Sequence, residues 1–134
     1  MPFVIDNSVV SGWFPANQST DYTEAIARRL PDDGAIAPGL WPLELANVLP
    51  TACKRGAMIA SQAREVAEQI AVLPIAVDAQ PPATQAVLSL ALRYDLSSYD
   101  ATCLELALRL QLPIAAQDEA LVEAAMAAGV GVVR

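Results

Sequence analysis

Short apolar segments alternate with longer segments of helical periodicity along the chain, and this alternation limits the possible folds more than any other feature of the sequence. Each segment is uniformly apolar, which is typical of strands that are buried on both faces. Strands that alternate with helices predict a parallel sheet with helices on both sides. The predicted fold class is therefore α/β, a three-layer α/β/α sandwich with a mainly parallel central sheet. The predicted strands are 3–5, 35–37, 75–77, 114–116 and 130–133.

Helices are predicted between the strands, and several of their ends carry characteristic residues. Pro42 suits the first turn of a helix, where its missing N–H has no partner to lose. Ser97, three residues before Asp100, resembles a capping box with Asp in place of Glu. Asp118 is a suitable N-cap, and Gly129 suits the position after a helix. The predicted helices are a short one over 7–14, then 20–30 up to Pro31, 41–55 ended by Gly56, 59–72, one opened by Pro81 and Pro82, 97–112 and 118–128; those over 41–55 and 59–72 form a hairpin.

The length indicates how many domains the chain forms, and the cysteine and histidine content excludes several kinds of catalytic and metal site. A chain of 134 residues with no repeat and no linker fits one domain, 1–134. Cys53 and Cys103 lie in apolar helical patterns without nearby ligands, which favours buried thiols over a zinc site or a disulfide. The sequence has no histidine, which excludes Ser-His-Asp and Cys-His nucleophiles and imidazole acid–base catalysis. Any catalysis must therefore use carboxylates.

Asp6, Glu44, Asp100 and Asp118 lie far apart in the chain, yet each falls where a predicted strand ends or a predicted helix begins. In an open parallel sheet these positions meet along one edge, so we expect a shared site. Carboxylates gathered there need cations between them, and hard oxygen ligands favour Mg²⁺ or Mn²⁺. Asp6 directly follows a buried strand, where an unpaired carboxylate is costly. Asp100 and Asp118 fit equally well as ordinary helix-start residues, and this alternative stays open.

The charge balance gives a mixed indication about partners. A net charge of −7, from 15 acidic and 8 basic residues, argues against a nucleic-acid partner, which usually requires a basic patch. Divalent cations bound at an acidic site would reverse the field there. The pairs Arg28-Arg29 and Lys54-Arg55 suit either helix carboxyl ends or phosphate contacts. Without a leader peptide or an apolar stretch near the roughly 18 residues that span a bilayer, a cytoplasmic protein is predicted.

Four segments of the chain, taken together, resemble the PIN-domain family, especially VapC-type toxins of bacterial toxin–antitoxin pairs. They are VIDNS at 4–8, WPLELANVL at 41–49, LSSYDA at 96–101 and IAAQDEAL at 114–121. The resemblance implies a PIN-like fold over nearly the whole length and a ribonuclease whose four acids hold one or two Mg²⁺ or Mn²⁺ ions. It also implies an RNA substrate, a homodimer and a cognate antitoxin near the active-site groove.

One position departs from the family pattern. The family usually has Thr or Ser two residues before the last acid, and this chain has Ala116. If that hydroxyl orients a carboxylate or a water molecule, its loss weakens the site unless Ser8 or another group replaces it.

A metal-dependent mechanism suits the residues as well as the resemblance. A divalent ion lowers the pKa of water and stabilises charge on a scissile phosphate without histidine. We expect Asp6, Asp100 and Asp118 to act as ligands, directly or through water, and Glu44 to act as a ligand or a water-orienting base. The weaker candidates each have a simpler role: Asn7 and Ser8 as caps, and Glu119 as a helix-start charge.

Two other functions were considered. Haloacid-dehalogenase-like phosphatases also place Asp after the first strand, but they carry a second Asp two residues later, where this chain has Ser8, and a lysine that is missing here. A protein-binding module is the stronger alternative, because 54% hydrophobic content suggests apolar surface for a partner. Trp13, Phe14 and Trp41 fit RNA stacking or, better, core packing.

Overall fold

A parallel sheet forms the centre of the computed structural model, which describes residues 1–14 and 19–134. Its order is β3-β2-β1-β4, and every neighbouring pair is parallel. β1 is central: Val4 pairs with Ile36 on one side and with Ile114 on the other. The predicted fold class is therefore confirmed. The strands are β1 (Phe3–Ile5), β2 (Ala35–Ala37), β3 (Ile75–Val77) and β4 (Ile114–Ala115).

Helices connect the strands, and most begin and end close to the predicted positions. Thr20 caps the second helix, and Asp118 caps the last one. Gly129 follows the last helix with a positive φ of 79°. The helices are α1 (Asn7–Val10), α2 (Asp21–Asp33), α3 (Trp41–Lys54), α4 (Ala60–Ala71), α5 (Thr84–Tyr94), α6 (Ser98–Leu110) and α7 (Glu119–Ala127).

The alternating side chains of β1 divide the buried residues into two clusters. Phe3 and Ile5 pack with residues of α1 and α2, together with Trp41 and Ile70 from the α3–α4 hairpin. Val4 points the other way and packs with residues of α6 and α7, and α5 lies against this second cluster. Apolar side chains on both faces of a strand require helices on both faces of the sheet. The three layers are arranged as predicted.

The predicted strand over 130–133 is wrong. Only Val132 forms a bridge, with Ile114, and the flanking bonds join Ile114 N to Gly131 O at 2.8 Å and Val133 N to Ile114 O at 2.9 Å. Its neighbour β4 is only two residues long, so it has too little backbone to pair with a longer strand.

Three helix ends also differ from prediction. The second helix continues through Pro31 to Asp33, because a proline this close to the end removes a single backbone bond. Pro81 and Pro82 precede α5 rather than open it, since a residue before proline avoids helical angles. The first helix ends at Val10, and the chain then turns so that Gly12 lies against Thr23 of α2: a Cβ at Gly12 would come within 2.5 Å of the Thr23 methyl carbon.

The carboxyl end of β1 lies next to several helix starts. Asp6 caps α1 directly after the strand, and α1 contacts both α2 and α3. α6 packs on β1 and β4. Within the described residues, no helix combines the length and the apolar character that crossing a bilayer requires.

Candidate functional site

Asp6 is the most deeply buried of the predicted site residues, with 6% of its surface exposed. Its Oδ2 accepts a hydrogen bond from Ser8 N at 3.2 Å, which makes Asp6 the cap of α1. Its Oδ1 accepts a hydrogen bond from Cys103 Sγ at 3.6 Å. Burial, followed by the negative charge of Asp6, raises the pKa of Cys103, so this thiol stays protonated and donates. Both oxygens are held, yet neither partner carries a positive charge.

Asp118 lies three residues after β4, the strand that neighbours β1 in the sheet, and it is the N-cap of α7. Its Oδ1 accepts hydrogen bonds from Ala120 N at 2.9 Å and Leu121 N at 3.3 Å, so its predicted role as an N-cap is confirmed. Both bonds fall on Oδ1, and the Asp118 side chain is also close enough to Asp100 to raise its pKa.

Asp100 lies in the first turn of α6. Ser97 Oγ accepts a hydrogen bond from Asp100 N at 3.2 Å, which is half of the predicted capping box. The reciprocal bond, donated by Ser97 N to the Asp100 carboxylate, does not form among the described residues. A shorter Asp side chain replaces the usual Glu here, and its carboxylate instead lies near Asp6 and Asp118.

Glu44 lies in the first turn of α3, after Pro42. The start of this helix is fixed by Trp41, which is 5% exposed and whose Nε1 donates a hydrogen bond to Asn7 Oδ1 at 3.2 Å. Asn7 therefore connects the β1–α1 junction to α3. The capping role predicted for Asn7 and Ser8 is wrong, because Asp6 is the N-cap of α1 and both residues lie inside that helix; the Asn7 amide donates to Ser11 Oγ at 3.3 Å.

The acids influence one another electrostatically, which shows that the fold brings them together. Burial, followed by the charges of Asp6 and Asp100, raises the pKa of Glu44 from 4.5 to about 7. Burial and the charges of Asp6 and Asp118 raise the pKa of Asp100 from 3.8 to about 7, and a hydrogen bond that its protonated form shares with Asp118 adds to the rise. None of the charges acting on Glu44 or Asp100 is a cation. Within the part of the chain that the structure describes, the site concentrates negative charge and no positive charge acts on Glu44 or Asp100.

The acids are not assembled as a finished coordination shell. Within residues 1–14 and 19–134, no group of three or more acidic, Cys or His side chains has the arrangement of a metal site. The donor set nevertheless fits a hard divalent cation, because it consists of carboxylates with no competing ion pair among the described side chains. Uncompensated carboxylates repel each other, so a cation between them would remove that repulsion.

Two contacts around the acids were not predicted from the sequence. Cys103 lies one helical turn after Asp100, and this i, i+3 spacing was a usable signal that both face the same neighbour. Gln117 donates a backbone hydrogen bond to Ser8 Oγ at 3.0 Å and a side-chain bond from Nε2 to Ser8 O at 2.9 Å. Nothing in the sequence indicated this second contact, because the two residues are 109 positions apart.

The other predicted candidates lie as follows. Glu119 is exposed in the first turn of α7, which supports its helix-start role. Trp13 Nε1 donates a hydrogen bond to Thr23 O at 2.7 Å. The side chains of Trp13 and Phe14 pack against the core, and Trp41 is buried in it. Core packing is thus the observed role of these aromatic residues. Arg29 pairs with Asp33 at 3.2 Å, whereas Arg28, Lys54 and Arg55 are exposed.

Comparison with known proteins supports the fold and the family. The crystal structure of PAE2754 from Pyrobaculum aerophilum superposes with a TM-score of 0.68 at 22% sequence identity, covering 92% of this chain and 79% of that one. No curated protein sequence gives a significant match. The sequence pattern of the PIN domain matches residues 3–126. This match spans every strand and all four acids, and the chain belongs to the PIN domain family.

Proposed function

We propose that this protein is a divalent-metal-dependent endoribonuclease that acts as a VapC-type toxin in a toxin–antitoxin pair. One observation carries the proposal: Glu44 and Asp100 have pKa values of about 7 because of burial and neighbouring acids, and no cation acts on either. A site built this way has a strong affinity for positive charge. Family membership adds weight, since PIN domains are typically metal-dependent nucleases.

The four acids would have different roles in phosphodiester hydrolysis. A bound Mg²⁺ or Mn²⁺ ion would supply an acidified water molecule and a positive charge beside the scissile phosphate. Asp6, Asp100 and Asp118 would hold the ion, Asp6 from its nearly buried position and Asp118 from the start of α7. Glu44 would orient the attacking water or complete the ligand set. The positive charge of the ion would favour the ionised form of Glu44, which can accept a proton from that water.

The loop that contains Ala116 still has a contact with a hydroxyl group, supplied by another residue. Ala116 is buried, and the following residue, Gln117, donates its backbone N–H to Ser8 Oγ at 3.0 Å. This hydroxyl lies on β1–α1 and holds the loop that carries Asp118. We therefore propose that the site is active despite Ala116.

The cleavage test uses purified, partner-free protein, a mixed RNA pool, and Mg²⁺ or Mn²⁺. Asp100→Asn is the test variant, and Asp95→Asn is its matched control: Asp95 ends α5 in the left-handed conformation, which Asn also tolerates. We expect discrete products from the unmodified protein and from Asp95→Asn, and none from Asp100→Asn or with a chelator. Cleavage that survives both Asp100→Asn and the chelator would refute the proposal.

The proposal extends to one domain over 1–134, to the cytoplasm and to two protein partners, a second copy and a cognate antitoxin. Exposed apolar side chains support a partner: Leu43 is 68% and Leu92 is 75% exposed. The same observation favours the alternative function, a non-catalytic PIN-like module that binds protein. Divalent metal distinguishes the two, because only a metal-binding nuclease gains thermal stability from Mn²⁺, and Asp6→Asn should remove that gain.

A further inference from the structure

Three consecutive residues after β1 contact three different acid-bearing elements. Asp6 accepts a bond from Cys103 of α6, the helix of Asp100, and Asn7 accepts one from Trp41 of α3, the helix of Glu44. Ser8 contacts Gln117, which immediately precedes Asp118. The β1–α1 junction therefore connects to every element that supplies an acid, and its link to Asp118 has the most bonds.

Gln117 makes three hydrogen bonds, although its surface is exposed. Its N–H donates to Ser8 Oγ at 3.0 Å and its Nε2 donates to Ser8 O at 2.9 Å. Its Oε1 accepts from Thr20 Oγ1, at the start of α2, at 3.1 Å. An exposed glutamine normally keeps its rotamer freedom, and fixing this side chain costs entropy that the two side-chain bonds must offset. Both ends of the amide are used, and each joins a different loop.

We infer that Gln117 is a positioning residue that holds Asp118 at a fixed distance from Asp6, an inference that rests on the proposed function. Asp118 has its Oδ1 committed to the start of α7, so its own bonds fix it relative to that helix only. Relative to β1, the sheet fixes the chain as far as Ala115, whose carbonyl accepts from Asp6 N at 3.0 Å, and the loop beyond it is tied by Gln117 and Ser8. The buried Ala116 has no side-chain polar group to add a bond, which leaves this task to Gln117.

The test measures Mn²⁺ affinity of the folded protein by calorimetry, with Gln117→Ala against Gln69→Ala. Gln69 is exposed on α4 and makes no side-chain bond among the described residues, so it matches the change in chemistry without touching the site. Loss of a group that orients a ligand typically weakens metal binding by about 10–100-fold. We expect a loss of this size for Gln117→Ala and unchanged affinity for Gln69→Ala. In RNA cleavage, Gln117→Ala should lower kcat and leave KM unchanged.

A purely structural role for Gln117 predicts something different. In that case Gln117→Ala would lower the melting temperature of the metal-free protein and leave the Mn²⁺ affinity of the folded protein within about twofold of the unmodified chain. That result would overturn the inference. If Gln117→Ala fails to fold, Gln117→Asn replaces it, because the shorter amide cannot reach Ser8 and Thr20 together. If the unmodified protein binds no Mn²⁺, the proposed function fails as well, whereas tight binding by all variants refutes only the role of Gln117.

Discussion

The two helices that pack against each other on one side of the sheet, α5 and α6, differ sharply in burial. α6 contacts β1 and β4 and has six buried residues, whereas α5 has none. On α5, Leu88 is 49% and Leu92 is 75% exposed. Asp100 therefore lies on a helix that is fixed by the core. The adjacent helix α5 packs on α6 but leaves apolar side chains exposed to solvent. A site that gathers repelling charges needs the first kind of support.

The largest expected effect is on stability when the two helices are truncated at matched leucines. Leu104 of α6 is fully buried, so Leu104→Ala should lower the free energy of unfolding by about 2–5 kcal/mol through lost burial and a cavity. Leu92→Ala on α5 should change it by less than about 0.5 kcal/mol. Urea unfolding of the monomer measures both values. Equal losses would mean that α5 belongs to the core after all.

The arginines near the carboxyl ends of the two helices give the next largest contrast. Arg109 of α6 contacts Asp78 at 2.6 Å and Glu105 at 2.8 Å, and all three are largely shielded from water. Arg109→Met should cost about 1–3 kcal/mol, because two acids lose their partner. Arg93 of α5 only lies 5.4 Å from the ring centre of Tyr94, so Arg93→Met should cost less than about 1 kcal/mol. Thermal unfolding at two salt concentrations measures both, and a strong salt dependence of the Arg109 effect would contradict a shielded network.

The pH dependence of stability should come from the start of α6 and from Glu44. Folding raises the pKa of Asp100 from 3.8, and that of Glu44 from 4.5, to about 7, so the folded state binds more protons than the unfolded state between these values. Stability of the metal-free protein should therefore fall as the pH rises from about 4 to about 7, and stay level above. The effect should be smaller than that of Arg109→Met, since both acids are only partly buried and solvent screens their charges.

Asp100→Asn should flatten that fall, and Mn²⁺ should reverse it by favouring the ionised acids. Asp95→Asn is the control, because it leaves the cluster intact. Melting temperatures from pH 4 to pH 8 provide the measurement. A melting temperature that rises with pH in the metal-free protein would show that the acids are compensated by something other than a metal ion.

The smallest effect on monomer stability is expected from the exposed face of α5. Replacing Leu88 and Leu92 together by Gln removes apolar surface without changing the core, so the free energy of unfolding should change by less than about 1 kcal/mol. If this face binds a second copy, the double variant should be monomeric at concentrations where the unmodified protein is a dimer. Light scattering tests this, and an unchanged dimer would place the interface elsewhere.

The contrast between the helices also explains what the sequence could predict. The central strands were predictable because β1 is uniformly apolar, and the nearness of the four acids was predictable because a parallel sheet gathers strand ends and helix starts. The prediction of a strand over 130–133 was wrong because the pairing of this segment with β4 depends on the length of β4, which the local sequence pattern does not encode. The poor burial of α5 was equally hidden, since Leu88 and Leu92 resemble core residues in sequence. The Gln117 contacts join residues 109 and 97 positions apart, beyond any local signal.

The position of the acids along the chain has a consequence for biosynthesis. Asp6 follows the first strand and Asp118 follows the last one, yet β1 and β4 are neighbours in the sheet. During translation the amino-terminal part emerges first and can collapse early, but β1 has no partner on one side until residues 114–115 leave the ribosome. The full acidic cluster therefore cannot form before Asp118 has left the ribosome. A truncated product ending before Asp118 would lack one of the four acids together with the loop that holds it.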